Sequence, residues 1–136
     1  MGKLFLEVVT PEKVVVSQEI ETVTAPGSLG EFGILEGHIP FLSGILPGEI
    51  RFTSDNKTEY LAVSTGFSEV SDDKVSILVD TAEKGHNIDV ERAKKSMERA
   101  GERLKKAQED SDIDFFRAEA ALRRAIVRIN IAEKVL

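Results

Sequence analysis

The helix breakers of this chain stop abruptly. All four prolines (Pro11, Pro26, Pro40 and Pro47) and nine of the ten glycines lie before residue 88; beyond it only Gly101 remains, among eight alanines. A proline inside a helix removes a backbone hydrogen bond and clashes with the preceding turn, at a cost of about 3 kcal/mol. The first part, rich in Gly, Pro, Val and Thr, reads as strands, and the second, rich in Ala, Arg and Glu, as helices. The charge divides at the same place. Residues 1–88 carry six basic and fourteen acidic residues, a net of -8, and residues 89–136 carry twelve and ten, a net of +2. The expectation is two domains, a β-structured one over 1–87 and an α-helical one over 88–136.

Within the first part, short apolar-alternating runs end at turn residues. Leu4–Val9 stops at Thr10-Pro11, Val14–Val16 at Ser17, and Ile20–Ala25 at Pro26-Gly27. Ile50–Thr53 and Thr58–Val63 flank Ser54-Asp55-Asn56-Lys57, and Phe67–Val70 and Val75–Val79 flank Ser71-Asp72-Asp73-Lys74; each pair reads as a hairpin. Many short strands with one apolar face predict an antiparallel sandwich or flattened barrel. There is no room for a parallel crossover helix before residue 88.

The second part carries two heptad seams. Ala93, Met97, Ala100, Leu104 and Ala107 form one; Phe115, Ala118, Leu122, Ala125, Ile129, Ala132 and Leu136 form the other. Asn87 or Asp89 can cap the first helix, and Ser111 with Asp114 resembles a capping box for the second. A short polar turn at Glu109-Asp110 folds the helices into an antiparallel hairpin. Half of its seam is alanine, which buries far less than the ~1.5–3 kcal/mol of a Leu or Phe side chain. Such a hairpin is marginal alone and suited to being a movable arm.

Several function classes are disfavoured. The net charge of -6 and pI near 5.0 argue against a nucleic-acid partner, which needs a concentrated basic face. Without cysteine there is no disulfide, thiol nucleophile or Cys-based zinc site. His38 and His86 lie in no metal-ligand spacing, so neither a metal site nor a catalytic residue is expected. Gly27-Ser28-Leu29-Gly30-Glu31-Phe32-Gly33 lacks the Gly-Lys-Ser/Thr ending of a phosphate loop, and reads as a tight glycine loop at a barrel rim. Met1–Thr10 does not read as a signal peptide, and no apolar run reaches the roughly 20 residues of a membrane span. The expectation is a soluble, cytosolic protein.

One positive chemical signal remains. With Ala93 and Ala118 at d positions, Arg92, Arg99, Arg117 and Arg124 fall at c, and Arg103 and Arg128 at g. In an antiparallel pair these positions share one flank. No acidic residue takes the c or g places of the first helix. Intrahelical partners such as Glu98 and Glu102 would make this an ordinary solvated stripe; left uncompensated, guanidinium groups converging from two helices suit a polyphosphate or an acidic protein surface.

Four segments in order carry a resemblance over essentially the whole chain: S-L-G-E-F-G-I-L-E-G-H-I-P at Ser28–Pro40, V-S-T-G-F-S-E-V at Val63–Val70, I-D-V-E-R-A at Ile88–Ala93, and D-F-F-R-A-E-A-A-L-R-R-A at Asp114–Ala125. Together they resemble the epsilon subunit of bacterial F-type ATP synthase. The resemblance implies about ten strands followed by the helical hairpin, in a non-catalytic rotor subunit on the cytoplasmic face of the bacterial inner membrane, held there only through the complex. Its implied partners are the gamma subunit, the ring of c subunits and the catalytic alpha and beta subunits. Gly30, Glu31 and His38 would lie at the stalk or ring contact, and the hairpin would act as a brake on ATP hydrolysis. Some relatives bind ATP in the folded hairpin. Carried over by motif, Ile88 and Asp89 would read the adenine, Arg92, Arg99, Arg124 and Arg128 would hold phosphates, and Glu83 would flank the site. No cofactor is obligatory; ATP is implied as a regulatory ligand. The helix-to-helix turn is two residues longer than in those relatives, and Gly85 and His86 depart from their pattern. The other class of function open to these residues is a stand-alone sandwich adaptor whose basic hairpin grips an acidic partner.

Overall fold

The computed structural model describes residues 4–38, 40–109 and 115–135, and the chain divides into two compact units, Met1–Gly85 and His86–Leu136. The first contains ten strands: β1 (Leu4–Val9), β2 (Val14–Ile20), β3 (Thr22–Gly27), β4 (Gly30–Ile34), β5 (Phe41–Ile45), β6 (Gly48–Ser54), β7 (Lys57–Val63), β8 (Gly66–Ser71), β9 (Lys74–Val79) and β10 (Ala82–Lys84). They form one sheet in the order β10-β7-β6-β3-β5-β8-β9-β1-β2, with β4 paired to β3. Since β2 also lies against β6 and β10, the sheet curls back on itself as a near-barrel sandwich.

The alternation seen in sequence is what fills the interior. Leu4, Leu6 and Val8 of β1, Val75, Ile77 and Val79 of β9, and Ile50, Phe52 and Leu61 from β6 and β7 join one buried cluster. Each large aliphatic side chain removed from water contributes on the order of 1.5–3 kcal/mol.

Both hairpins expected around Asp-rich turns form there. Ser54 pairs with Lys57 and Ser71 with Lys74, leaving two-residue turns with Asp55, Asn56, Asp72 and Asp73 all at φ between 51° and 64°. This is the left-handed geometry that matches strand twist, and Asp and Asn tolerate it better than other side-chain-bearing residues.

Elsewhere the chain departs from the expected strand map. The stretch read as a loop, Gly27–Gly33, is a β3–β4 hairpin whose turn is only Ser28-Leu29, so Pro26 sits inside β3. A proline has no N–H to give, and here its carbonyl accepts from the Leu46 N–H at 2.9 Å. Alternation also missed β5, where Gly44 interrupts the apolar pattern, and β10, which is three residues long. One pairing is parallel, β1 with β9; the intervening chain spans seven strands, so no crossover helix is required.

Gly66 opens β8 opposite Val79. A Cβ there would collide with the Leu78 carbonyl oxygen and the Val79 backbone, backbone atoms that cannot swing aside. The neighbouring Ser68 is wholly buried, and its hydroxyl is the only buried side-chain N or O without a partner among the described residues.

A short 3₁₀ turn (Gly85–Asn87) begins at the last residue of the first unit, and the second unit holds α1 (Val90–Glu109) and α2 (Phe115–Val135). Asp89 rather than Asn87 caps α1: its Oδ1 accepts the Arg92 N–H at 3.1 Å and its carbonyl accepts the Ala93 N–H at 3.0 Å. The two helices pack together, with Ala93 and Ala100 of α1 and Ala118, Ala125, Ile129 and Ala132 of α2 buried along the expected seam. Ile131 is buried as well, one place off that seam. The tip from Asp110, the capping box of Ser111 and Asp114, and the seam side chains of Ala107 and Leu136 lie outside the described residues.

Two stability changes of opposite sign are expected. Gly66→Ala destabilises by about 1–3 kcal/mol through overpacking, whereas Ser68→Ala stabilises by about 1 kcal/mol because an unpaired buried hydroxyl is removed. Denaturant titration of the full chain reads both; a destabilised Ser68→Ala would show that the hydroxyl has a partner.

Candidate functional site

The arginine flank takes its form from the heptad. Arg92, Arg99, Arg103, Arg117 and Arg124 are exposed and Arg128 is half-buried. Between the helices, Ser96, Arg99, Ala100 and Arg103 of α1 face Ala121 of α2 across a recess of about 200 Å³. Ala121 stands at a g position, where its small side chain leaves the space open. The recess thus unites Arg99, one of the residues expected to hold phosphate, with Arg103 from the same flank. It also includes Ser96, which the arginine count passed over although its g position places it there. Its lining does not include Arg92, Arg124 or Arg128. In an antiparallel pair, Arg124 lies three residues from Ala121 toward the open end of the hairpin, about 4.5 Å along the axis, and Arg128 about 10.5 Å. On α1, Arg92 lies the same ~10.5 Å from Arg99 in that direction. Asp89 is committed to the α1 cap, which fixes its carboxylate at the head of that helix. Arg123, off the flank, makes an i,i+4 ion pair with Glu119 at 3.2 Å. Glu83 sits in β10 opposite Ala62 and belongs to the first unit.

The residues expected at a stalk or ring contact gather around β4. Gly30, at φ 119°, leaves the β3–β4 turn, beside Leu29, which is fully exposed. Glu31 takes a forked ion pair from Arg51 of β6, Nη2 to Oε1 at 2.9 Å and Nη1 to Oε2 at 3.2 Å, while Nη1 also reaches Glu49 at 3.3 Å. The hydrogen bond to Glu31 is the largest cause of a rise in the Arg51 pKa above its ordinary value. Both side chains are well exposed, and pairs of this kind contribute at most about 1 kcal/mol; their value is in setting the direction of Glu31. His38 lies edge-on to Phe41, with ring centroids 5.8 Å apart, and Phe41 meets Phe32 at 5.1 Å.

A third surface was not singled out from sequence. The pairing register sets Val14 beside Val9, Val9 beside Leu78, and Leu78 beside Phe67. This makes an apolar row across β2, β1, β9 and β8 on the outer face, with Val14 57%, Leu78 45% and Phe67 49% exposed. Next to it, Val9, Thr10, Pro11, Gly66, Phe67 and Leu78 help line a groove of about 630 Å³. The signal was present in the wrong-phase apolar residues of β1 and β9, Val9 and Leu78, which alternation alone counts as noise. Among the described residues there is no cluster of three metal-ligating side chains, and no helix is long and apolar enough to cross a membrane.

Comparison with known proteins agrees over nearly the whole chain. The family described as the ATP synthase delta/epsilon chain β-sandwich domain matches residues 3–85, and the one described as the delta/epsilon chain long α-helix domain matches residues 86–133. A protein of Geotalea daltonii named ATP synthase epsilon chain is 48% identical over 132 residues, covering 97% of this chain and 95% of its own. Its namesake from Nitratidesulfovibrio vulgaris (strain DP4) is 47% identical over 128 residues, 94% of each. Among solved structures, a chain of the mitochondrial ATP synthase of Euglena gracilis superposes with a TM-score of 0.82 over all of this chain and 83% of that one, at 22% identity, a likeness of fold. The chain belongs to the ATP synthase epsilon-chain family, whose members are subunits of the enzyme without a catalytic centre of their own.

Proposed function

We propose that the chain works in the central stalk of a proton-translocating F-type ATP synthase, where its sandwich couples the gamma subunit to the ring of c subunits and its helical hairpin restrains ATP hydrolysis. In this reading it sits on the cytoplasmic face of the bacterial plasma membrane and is held there only through the complex. The sandwich offers two faces for such contacts, the loops around Gly30, Glu31 and His38 and the apolar row from Val14 to Phe67.

The observation that carries the braking role is the composition of the α1–α2 seam. Five of its buried residues are alanine: Ala93, Ala100, Ala118, Ala125 and Ala132. Separating two helices costs in proportion to the apolar area exposed, and an alanine seam exposes little. Helices of 20 and 21 residues are each about 30 Å long, so opening the hairpin roughly doubles its reach. The extended arm then carries its arginines to acidic surfaces of the catalytic alpha and beta subunits.

ATP favours the folded arm in this reading. Its phosphates would bridge arginines of both helices, Arg92 and Arg99 on one and Arg124 and Arg128 on the other, with Ile88 and Asp89 at the base and Glu83 flanking. A ligand that contacts both helices binds only while they are adjacent, so its whole interaction energy biases the equilibrium toward the folded state.

Deleting residues 89–136 from the assembled enzyme is expected to raise ATP hydrolysis severalfold while the truncated chain remains bound; an unchanged rate in the bound truncation removes the brake. For the ligand, calorimetry of the isolated full chain with millimolar ATP is expected to show binding that Arg92→Ala or Arg124→Ala weakens about tenfold, in line with the loss of one exposed charge-assisted hydrogen bond. Absence of heat, or an isotherm that both variants leave untouched, rejects ATP regulation.

A further inference from the structure

Leu35-Glu36-Gly37-His38 is a β-turn, closed by the His38 N–H donating to the Leu35 carbonyl at 3.2 Å. Gly37, at φ 78°, occupies its third position, as a type II turn requires. In that geometry the N–H of the third residue points away from the turn and needs a partner from outside. It finds one in a distant hairpin: Asp73 Oδ1 accepts the Gly37 N–H at 2.7 Å. Asp73 is itself at φ 60° in the β8–β9 turn, a place where glycine carries no steric penalty, and its own carbonyl accepts the Phe5 N–H at 2.9 Å. A carboxylate is thus retained at a position whose backbone favours its absence, and its oxygen fastens the turn that presents Leu35 and His38.

We infer that Asp73 is a positioning residue, a clasp that holds the Leu35–His38 turn in the geometry with which the sandwich docks on the rest of the rotor. The inference rests on the proposed contact role of the Gly30–His38 segment. From the turn the restraint passes through His38 to Phe41 and Phe32, whose rings stack edge-on in series, so one hydrogen bond sets the attitude of an aromatic string at this end of the sandwich. Leu35, 61% exposed, is the apolar residue the clasp offers to a partner.

The backbone supplies a test that separates clasping from stability. Asp73→Gly removes the carboxylate and also relieves the left-handed strain, so the full chain melts at the same or a higher temperature. A residue of merely structural importance would lower it. In the isolated full chain, hydrogen exchange at the Gly37 amide is expected to accelerate about tenfold or more in Asp73→Gly and in Asp73→Ala, and much less in Asp73→Asn, whose side-chain oxygen still accepts. Titration of each variant onto ATP synthase stripped of this subunit is expected to require at least about fivefold more Asp73→Gly than wild type for full reconstitution, with Asp73→Asn restoring most of the loss. Unchanged exchange at Gly37 overturns the clasp. Accelerated exchange with undiminished docking, while His38→Ala or Leu35→Ala docks poorly, overturns the positioning role. If neither of those loop variants affects docking, the contact role of the loop fails, and the positioning role fails with it.

Discussion

The two units are held by cores of very different strength. The sandwich is closed by large aliphatic side chains that alternate in phase along its strands, Leu4-Leu6-Val8 against Val75-Ile77-Val79 being the clearest case. Each is locked by neighbours on several strands, and the curled sheet leaves few routes by which one strand could leave alone. The helical unit is held along a seam whose buried members are five alanines and Ile129, with Ile131 beside it. Dispersion and hydrophobic terms scale with the atoms in contact, so the sandwich resists opening more strongly than the helix pair does. Those are the complementary mechanical properties that the proposed role asks for, a sandwich that couples and an arm that responds to nucleotide.

Charge follows the same division and gives it direction. The acidic sandwich shows local pairing where Arg51 is taken up by Glu31 and Glu49, and beside its exposed carboxylates it presents an apolar row. The hairpin carries the opposite net charge. Its seam buries Ala93, Ala100, Ala118, Ala125, Ile129 and Ala132, and arginine lines its flank. The recess bounded by Arg99, Arg103 and Ala121 exists because a small residue stands where a longer one would close the gap. A single placement, alanine at g, turns a stripe of surface charge into a concave site.

Much of this was legible in residue order. The proline and glycine boundary, the two Asp-rich hairpins and both heptad seams depend on local rules of backbone geometry and periodicity, which a linear sequence displays directly. Of the strands that escaped, β10 is only three residues long, while β4 and β5 take their identity from their partners. Gly-Glu-Phe-Gly-Ile has no strong preference of its own and becomes a strand because β3 lies beside it. The apolar row escaped for the same reason: Val14, Val9, Leu78 and Phe67 are scattered over more than sixty positions of sequence, and only the register makes them neighbours. The arginines sat between these cases. Heptad phase placed six on one flank, but which of them share a recess depends on the stagger of the helices.

Aspartate at left-handed positions shows how local and distant demands are reconciled. A hairpin turn considered alone would favour glycine at Asp73, and the fold tolerates aspartate because the turn's strain is small beside the packing of β8 and β9. The side chain is then free for a task that local structure does not require, satisfying the N–H that the type II turn at Gly37 turns outward. Two turns that are each energetically imperfect, one strained and one missing a hydrogen bond, become a matched pair across thirty-six residues of sequence. Such a coupling is a reason for strain to persist in a stable domain: the carboxylate that costs a little at one turn fixes the shape of another, and that second turn lies where the sandwich would meet its neighbours.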